Sequence, residues 1–227
     1  MKRIIFLSTI YFLLTTVVNA QSVDILWQGD TYTPPFYQGK SLWSVQSKIT
    51  FIAIPTSLGN PANLYYKWTR NGTVLGNNNG IGKNTIAFLG NILSQSQTIR
   101  VDIISGGNEI SASASAIVTP TTPEVGVYEN NPLYGFMFHN MVGENYNLKE
   151  PEITFTAFPY FFSTLTRANG AVVYEWRTNT GGLETRNSVT YRAPENAVGS
   201  SKVSLKASHK SQITQDARKD FLVEFGQ

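Results

Sequence analysis

Cysteine is absent from all 227 residues. That excludes disulfides and a lipid-modified cysteine behind an export signal, so every domain must stand on its hydrophobic core alone. Histidine is scarce: His139 and His209 lie 70 positions apart with no cysteine to complete a ligand set, and no transition-metal centre is expected. The five aspartates are scattered and never form an Asp-x-Asp-x-Asp-Gly run, so no calcium loop is expected either. Basic excess is small, because removing Lys2 and Arg3 with an export signal takes the formal charge from +3 to +1. No stripe of Lys and Arg is interleaved with aromatics, which speaks against nucleic acid as a partner. Phosphate-binding loops fail at fixed positions. Gly39-Lys40-Ser41 has Pro34 where the motif needs glycine, and Gly82-Lys83-Asn84 has Asn77 there and Asn84 in place of Ser or Thr. Both read as turns, and no cofactor is expected.

One long apolar run is present. Lys2 and Arg3 precede the apolar stretch Ile4 to Val18, and Val18-Asn19-Ala20 has the small-x-small form that signal peptidase cuts. The run is 15 residues, shorter than the roughly 20 that a spanning helix needs. The expectation is a signal peptide over 1–20, cleavage after Ala20, and a secreted, periplasmic or cell-surface location, with an uncleaved anchor as the weaker reading. No later segment is long and apolar enough to span a membrane as a helix.

Past residue 20 an internal repeat organises the chain. Ile49-Thr50-Phe51-Ile52-Ala53-Ile54-Pro55 returns as Ile153-Thr154-Phe155-Thr156-Ala157-Phe158-Pro159. Tyr66-Lys67-Trp68 returns as Tyr174-Glu175-Trp176, Asn84–Phe88 as Asn187–Tyr191, and Ile99–Ile103 as Val203–Ala207. Between the copies, Thr119-Pro120-Thr121-Thr122-Pro123 holds two prolines that fix φ and remove donors, the make-up of a short semi-extended connector. The expected units are domain 1 over 21–119, a linker over 120–123 and domain 2 over 124–227. Period-two alternation between turn-rich stretches predicts strands, hence an all-β chain of two tandem β-sandwich domains. The face shared by both copies is the expected core: Ile49, Phe51, Ala53 with Ile153, Phe155, Ala157; Leu64, Tyr66, Trp68 with Val172, Tyr174, Trp176; Ile99, Val101, Ile103 with Val203, Leu205, Ala207. Asp102, between two core residues, is expected on the solvated outer face. Asn71-Gly72 after Trp68 predicts a tight hairpin turn.

A Tyr-x-Trp strand inside such a pattern resembles bacterial immunoglobulin-like or polycystic-kidney-disease (PKD) domains. The resemblance implies two tandem immunoglobulin-like sandwiches with an aromatic of the third strand lying between the sheets. Two departures stand out. The acidic Gly-Asp-Gly element that usually follows the Trp is replaced by Thr69-Arg70-Asn71-Gly72 and by Arg177-Thr178-Asn179, and the cysteine pair of antibody-type domains is missing. The tandem arrangement is also similar to that of exported bacterial proteins, and it brings no activity with it.

Catalytic arrangements find little support. There is no Gly-x-Ser-x-Gly elbow; His209 with Ser208 or Ser211 and Asp216 is a triple by composition only, and Glu150 and Glu152 read as a solvated loop edge. The expectation is therefore a non-enzyme: an extracellular or envelope module with a structural, adhesive or protein-binding role, or alternatively a carbohydrate-binding module. Its partner would be another surface protein or a glycan; the assembly state is left open. Aromatics supply the one candidate surface. Tyr32, Phe36 and Tyr37 precede the first core strand, and Tyr134, Phe136, Phe138 and Tyr146 precede the second, outside both predicted cores. Gly39 to Ile49 takes 10 steps but Gly135 to Ile153 takes 18, which suggests about eight extra residues in domain 2 within Phe136–Lys149. Phe136, Met137, Phe138, His139, Met141 and Tyr146 of this stretch are the candidate partner-binding loop, the alternative being that its apolar residues plug the sandwich or cement it to domain 1.

Overall fold

The computed structural model describes residues 20–105, 109–168, 170–179, 181–193 and 195–226. Apart from Ala20, the expected signal peptide lies outside them. Among the described residues no helix is long and apolar enough to cross a membrane.

The chain is all-β and forms two immunoglobulin-like sandwiches. The first uses β1 (Ser22–Gly29), β2 (Lys48–Thr56), β3 (Tyr65–Arg70), β4 (Thr73–Val74), β5 (Gly80–Ile81), β6 (Thr85–Leu89), β7 (Gln97–Ile104) and β8 (Ile110–Val118). Its sheets run β1-β2-β6 and β4-β3-β7-β8, with β5 paired to β3. The second uses β9 (Glu124–Asn131), β10 (Gly135–Met141), β11 (Asn145–Asn147), β12 (Glu152–Tyr160), β13 (Val172–Thr178), β14 (Leu183–Glu184), β15 (Ser188–Arg192), β16 (Gly199–His209) and β17 (Asp216–Phe225). Its sheets run β10-β9-β12-β15 and β11-β17-β16-β13-β14. The repeated frame thus puts strands one, two and the edge strand in one sheet and the Tyr-x-Trp strand in the other.

Alternation decides what each strand buries. Ile49, Phe51 and Ala53 meet Tyr66, Trp68, Ile99, Val101 and Ile103 in one core; Ile153, Phe155 and Ala157 meet Tyr174, Trp176, Val203, Leu205 and Ala207 in another. The repeat extends to hydrogen bonds. Trp68 Nε1 donates to the Lys83 carbonyl and Trp176 Nε1 to that of Arg186, while the hydroxyls of Tyr66 and Tyr174 donate to the carbonyls of Pro61 and Arg167. Each large aromatic therefore brings a satisfied polar atom into the core. The Asn71-Gly72 turn joins Arg70 to Thr73, with φ values of 49° and 81°, the positive pair a two-residue hairpin needs.

Two expectations need correction. Asp102 does point to the outer face, but it is buried, because β7 has a neighbour on each side and the Arg100 guanidinium lies 2.7 Å from the Asp102 carboxylate. The eight-residue insertion also disappears. Leu26 pairs with Ile52 and Tyr128 with Thr156, so the equivalent connections take 26 and 28 steps, a difference of two. Gly39 and Gly135 are not equivalent positions. What differs is the path: after β9 the chain doubles back as β10 along the same sheet, whereas after β1 it leaves its own sandwich and crosses to the second.

Candidate functional site

The crossing segment builds the junction between the sandwiches. Its base is tied off where Thr31 Oγ1 donates to the Leu42 carbonyl at 2.6 Å and Ser41 Oγ donates to that of Thr31 at 2.8 Å. The crossing brings Leu42 so close to β1 that a Cβ on Gly29 would run into its carbonyl. At the far side the Tyr32 amide donates to the Phe162 carbonyl and the Phe161 amide donates to that of Tyr32, each at 2.8 Å, so the backbones of the two repeats are joined directly.

Here Tyr32, Tyr128 and Phe158 form a third buried cluster, with Phe36, Phe136, Phe138 and Tyr160 packed on it. Phe36 stacks on Phe138 with ring centres 3.7 Å apart, and Phe158 meets the rings of Tyr128, Phe136 and Phe138 edge-on at about 5.4–5.5 Å. The Arg167 guanidinium caps the cluster 4.7 Å from the Phe136 ring and 4.9 Å from that of Phe158. Burial pushes the Tyr32 phenol up, partly offset by its hydrogen bond to Arg167 and that residue's charge. Tyr160 is pushed up further, first by burial and then by its hydroxyl bond to Tyr128 at 2.8 Å and the nearby phenols.

A polar seam runs beside the rings. The Gln215 side chain, fully buried, donates through Nε2 to the Val45 carbonyl and Ser163 Oγ, and more weakly to Ser44 Oγ, and accepts the Ser163 amide at Oε1. Ser44 Oγ donates to the Phe161 carbonyl, and Gln46 Oε1 accepts both the amide and the hydroxyl of Thr214. Every one of these bonds involves chain segments more than 50 residues apart, and most join the two repeats. Sequence reading missed Gln215, Ser44 and Trp43. A buried Gln or Ser has no local signal; Trp43, fully buried with Nε1 donating to the Ser47 carbonyl, sits in a segment without strand alternation.

Next to the seam opens a cleft of about 690 Å³. Tyr37 from the crossing segment forms one wall; Met141, Tyr160 and Phe161 line the aromatic side, and Glu124, Asp216, Arg218 and Lys219 bring charge of both signs. Gly126 makes part of the lining. A Cβ there would sit 2.8 Å from the Tyr160 ring and 3.1 Å from that of Tyr128, so glycine lets both rings lie down on β9.

The candidate loop residues are divided by this arrangement. Their stretch is mostly strand β10, with Phe136 and Phe138 in the aromatic cluster and Met141 on the cleft. Met137 is half-buried and His139 exposed on the same strand. Tyr146 packs edge-on against Phe155 in the second core and its hydroxyl donates to Glu129 Oε2 at 2.8 Å; burial first, and then this bond and the carboxylate's charge, push that phenol well up.

The composition-based triple is not assembled. His209 Nδ1 accepts the amides of Ser211 and Gln212 at 3.2 and 3.0 Å, leaving Nε2 to donate to the Ser163 carbonyl at 2.9 Å; the Ser208 hydroxyl is buried without a partner. The ring is a turn brace. Glu152 is held at the surface by Arg192 at 2.6 Å. Among the described residues no group of three His, Asp or Glu could hold a metal ion.

No protein-family model and no curated protein matches the chain. Among solved structures it is similar to three N-terminal domains of the outer capsid protein Hoc of bacteriophage RB49, at 14% identity and TM-score 0.46, over 90% of this chain and 59% of that one. It is also similar to the fibronectin(III)-like modules of Clostridium thermocellum CbhA, at 11% and 0.29 over 89% and 95%. A third is the full ectodomain of mouse nectin-like molecule 4, at 10% and 0.30 over 91% and 64%. The chain spans less than two thirds of the length of the first and third of these structures, and at such scores the assignment of fold rests on the strand order itself.

Proposed function

We propose that the chain is a non-catalytic, exported two-domain module that binds another surface protein through the cleft beside Tyr37, Met141 and Tyr160. The observation that carries this reading is that Tyr37 of the first repeat completes a cleft otherwise lined by the connector and the second repeat, so its shape depends on how the crossing segment docks. Its size is in the range of sites that enclose a ligand group, and its mixture of aromatic, thioether and charged side chains suits an adaptable polar contact. Export is supported by the Lys2-Arg3, apolar and Val18-Asn19-Ala20 pattern alone; the purified native protein is expected to begin at Gln21. A glycan is the second reading, favoured by two tyrosine rings and two carboxylates, Glu124 and Asp216, in one cleft.

The test compares wild type with Met141→Asp and Lys219→Glu, neither of which removes a ring from the buried cluster. In the source envelope, cross-linking to a defined partner is expected to fall at least about tenfold, corresponding to about 1.4 kcal/mol, at unchanged melting temperature. Undiminished cross-linking in both variants moves the contact elsewhere. Selective retention on a glycan array, lost in the same variants, replaces the protein partner with a sugar.

A further inference from the structure

The two histidines are held in unlike ways. His139 is exposed on β10, whereas His209, half-buried at the end of β16, has its ring inside a set of backbone bonds. Those backbone groups fix its tautomer, because an amide can only donate and a carbonyl can only accept. Nδ1 takes the Ser211 and Gln212 amides and so carries no proton; Nε2 faces the Ser163 carbonyl and so carries one. The Ser211 hydroxyl is a weaker neighbour, 3.4 Å from Nδ1.

Both ends of the ring lead into the polar seam. Ser163, whose carbonyl accepts from Nε2, gives its amide to Gln215 Oε1 and takes Gln215 Nε2 at its hydroxyl. The turn braced by Nδ1 is closed by the Gln215 amide on the Gln212 carbonyl and by the His209 amide on the Gln215 carbonyl. It presents Thr214 to Gln46 and Gln215 to Ser44 and Val45 of the first repeat. One imidazole thus holds together the loop at Ser163 and the turn at 211–215, the two pieces of the second repeat on which that segment of the first is docked.

The charged and titratable groups on the surrounding elements are engaged elsewhere. Lys210 reaches to Gly170, and Asp216, paired with Ser208, lies on the opposite face of the sheet from the ring. On β13 the Tyr174 hydroxyl donates to the Arg167 carbonyl, and the Arg167 guanidinium lies on Phe136 and Phe158. The Ser44-Val45-Gln46-Ser47 segment of the first repeat has no charge. Nothing around the ring offers an acid to receive a second proton's charge.

We propose that His209 makes the junction between the two repeats sensitive to acid. A proton on Nδ1 turns an acceptor into a donor that faces two donors; the turn then lets go, and Thr214 and Gln215 loosen their hold on the first repeat. Imidazole is the side chain that ordinarily changes charge between about pH 5 and 8. Because the neutral ring is the one that braces, the bonds are complete at the upper end of that window and are lost as pH falls.

Amide hydrogen exchange of the purified full chain, read residue by residue by NMR and corrected for the intrinsic effect of pH, tests it. From about pH 7.5 to about pH 5, wild-type protection is expected to fall at least about tenfold at the Ser163, Gln212 and Thr214 amides while that of β7 and β13 is kept. His209→Asn places an oxygen near the position of Nδ1 that takes no proton in this range, and it should show no such fall; His139→Asn should behave as wild type. Unchanged wild-type protection, an equal fall in His209→Asn, or a fall abolished by His139→Asn overturns the proposal. Should His209→Asn lack protection at both pH values, the ring nitrogen resonances of wild type decide. Loss that tracks protonation of His209 Nδ1 upholds the switch, and loss that tracks His139 or a carboxylate overturns it.

Discussion

Leu26, Ile52 and Ile54 on the outer face of the first sandwich are 54%, 41% and 41% exposed, whereas Tyr128, Thr156 and Phe158, at the same register positions of the second, are 5%, 0% and 0% exposed. The inner faces of the two repeats are alike and the outer faces have diverged. A strand presents two faces with independent fates: one is committed to the sandwich by the fold, the other is free to acquire partners. In the second repeat that freedom was used for rings, covered by β10 from one side and by Tyr32 and Phe36 of the first repeat from the other. The consequence is a third buried cluster that joins what the proline-bearing connector by itself would leave as separate cores.

The comparison can be broken most severely from the inside. Trp68→Ala and Trp176→Ala are each expected to cost about 3–5 kcal/mol by lost transfer energy and cavity, equally in both repeats because both indoles are buried and hydrogen-bonded alike. Chemical denaturation measures this, and a large inequality would mean that the repeats are not equivalent within. Outer-face substitutions should then separate them. Phe158→Ala is expected to cost about 3–5 kcal/mol and to split one calorimetric transition into two, while Ile54→Ala at the matching position stays within about 1 kcal/mol. Matching costs would deny the junction its role.

The polar seam comes next. Gln215→Ala leaves the Ser163 amide and the Val45 carbonyl without their buried partner, an expected loss of about 1–3 kcal/mol, read as a lower denaturation midpoint at unchanged slope. Alkali offers the mildest probe. The phenols of Tyr146, Tyr160 and Tyr174 are all raised above the ordinary 10.0, chiefly by burial. Their neutral forms are favoured in the folded state, so this contribution is complete below pH 10, declines as the unfolded chain ionises above it, and is lost as pH passes the folded values. Melting temperature should fall as pH rises above about 10, and Tyr160→Phe should flatten that fall. An alkaline slope unaffected by the change would place the responsible groups elsewhere.

The inner face was readable because its signal is local: period-two alternation, repeated 104 positions later for Phe51 and Phe155 and 108 later for Trp68 and Trp176, forces these side chains to the same side of a strand whatever surrounds them. The same rule put Asp102 on the outer face and went no further, since whether an outer face meets water depends on the side chain lying over it, here Arg100. The candidate site was legible only as an excess of rings. Phe36, Phe136 and Phe138 stood out as aromatics without a core strand, but their meeting with Phe158 required the chain to leave the first sandwich after Gly29, a choice of path that no pattern of residues encodes locally. Gln215, Ser44 and the cleft beside them were invisible for the same reason. By itself the sequence determined strand identity, repeat and inward face, which follow from backbone geometry and hydrophobicity along a few neighbouring residues. Which outer face is covered and which polar groups are buried were decided by tertiary structure, because burial depends on which surfaces meet, at separations from two residues for Arg100 and Asp102 to 171 for Ser44 and Gln215.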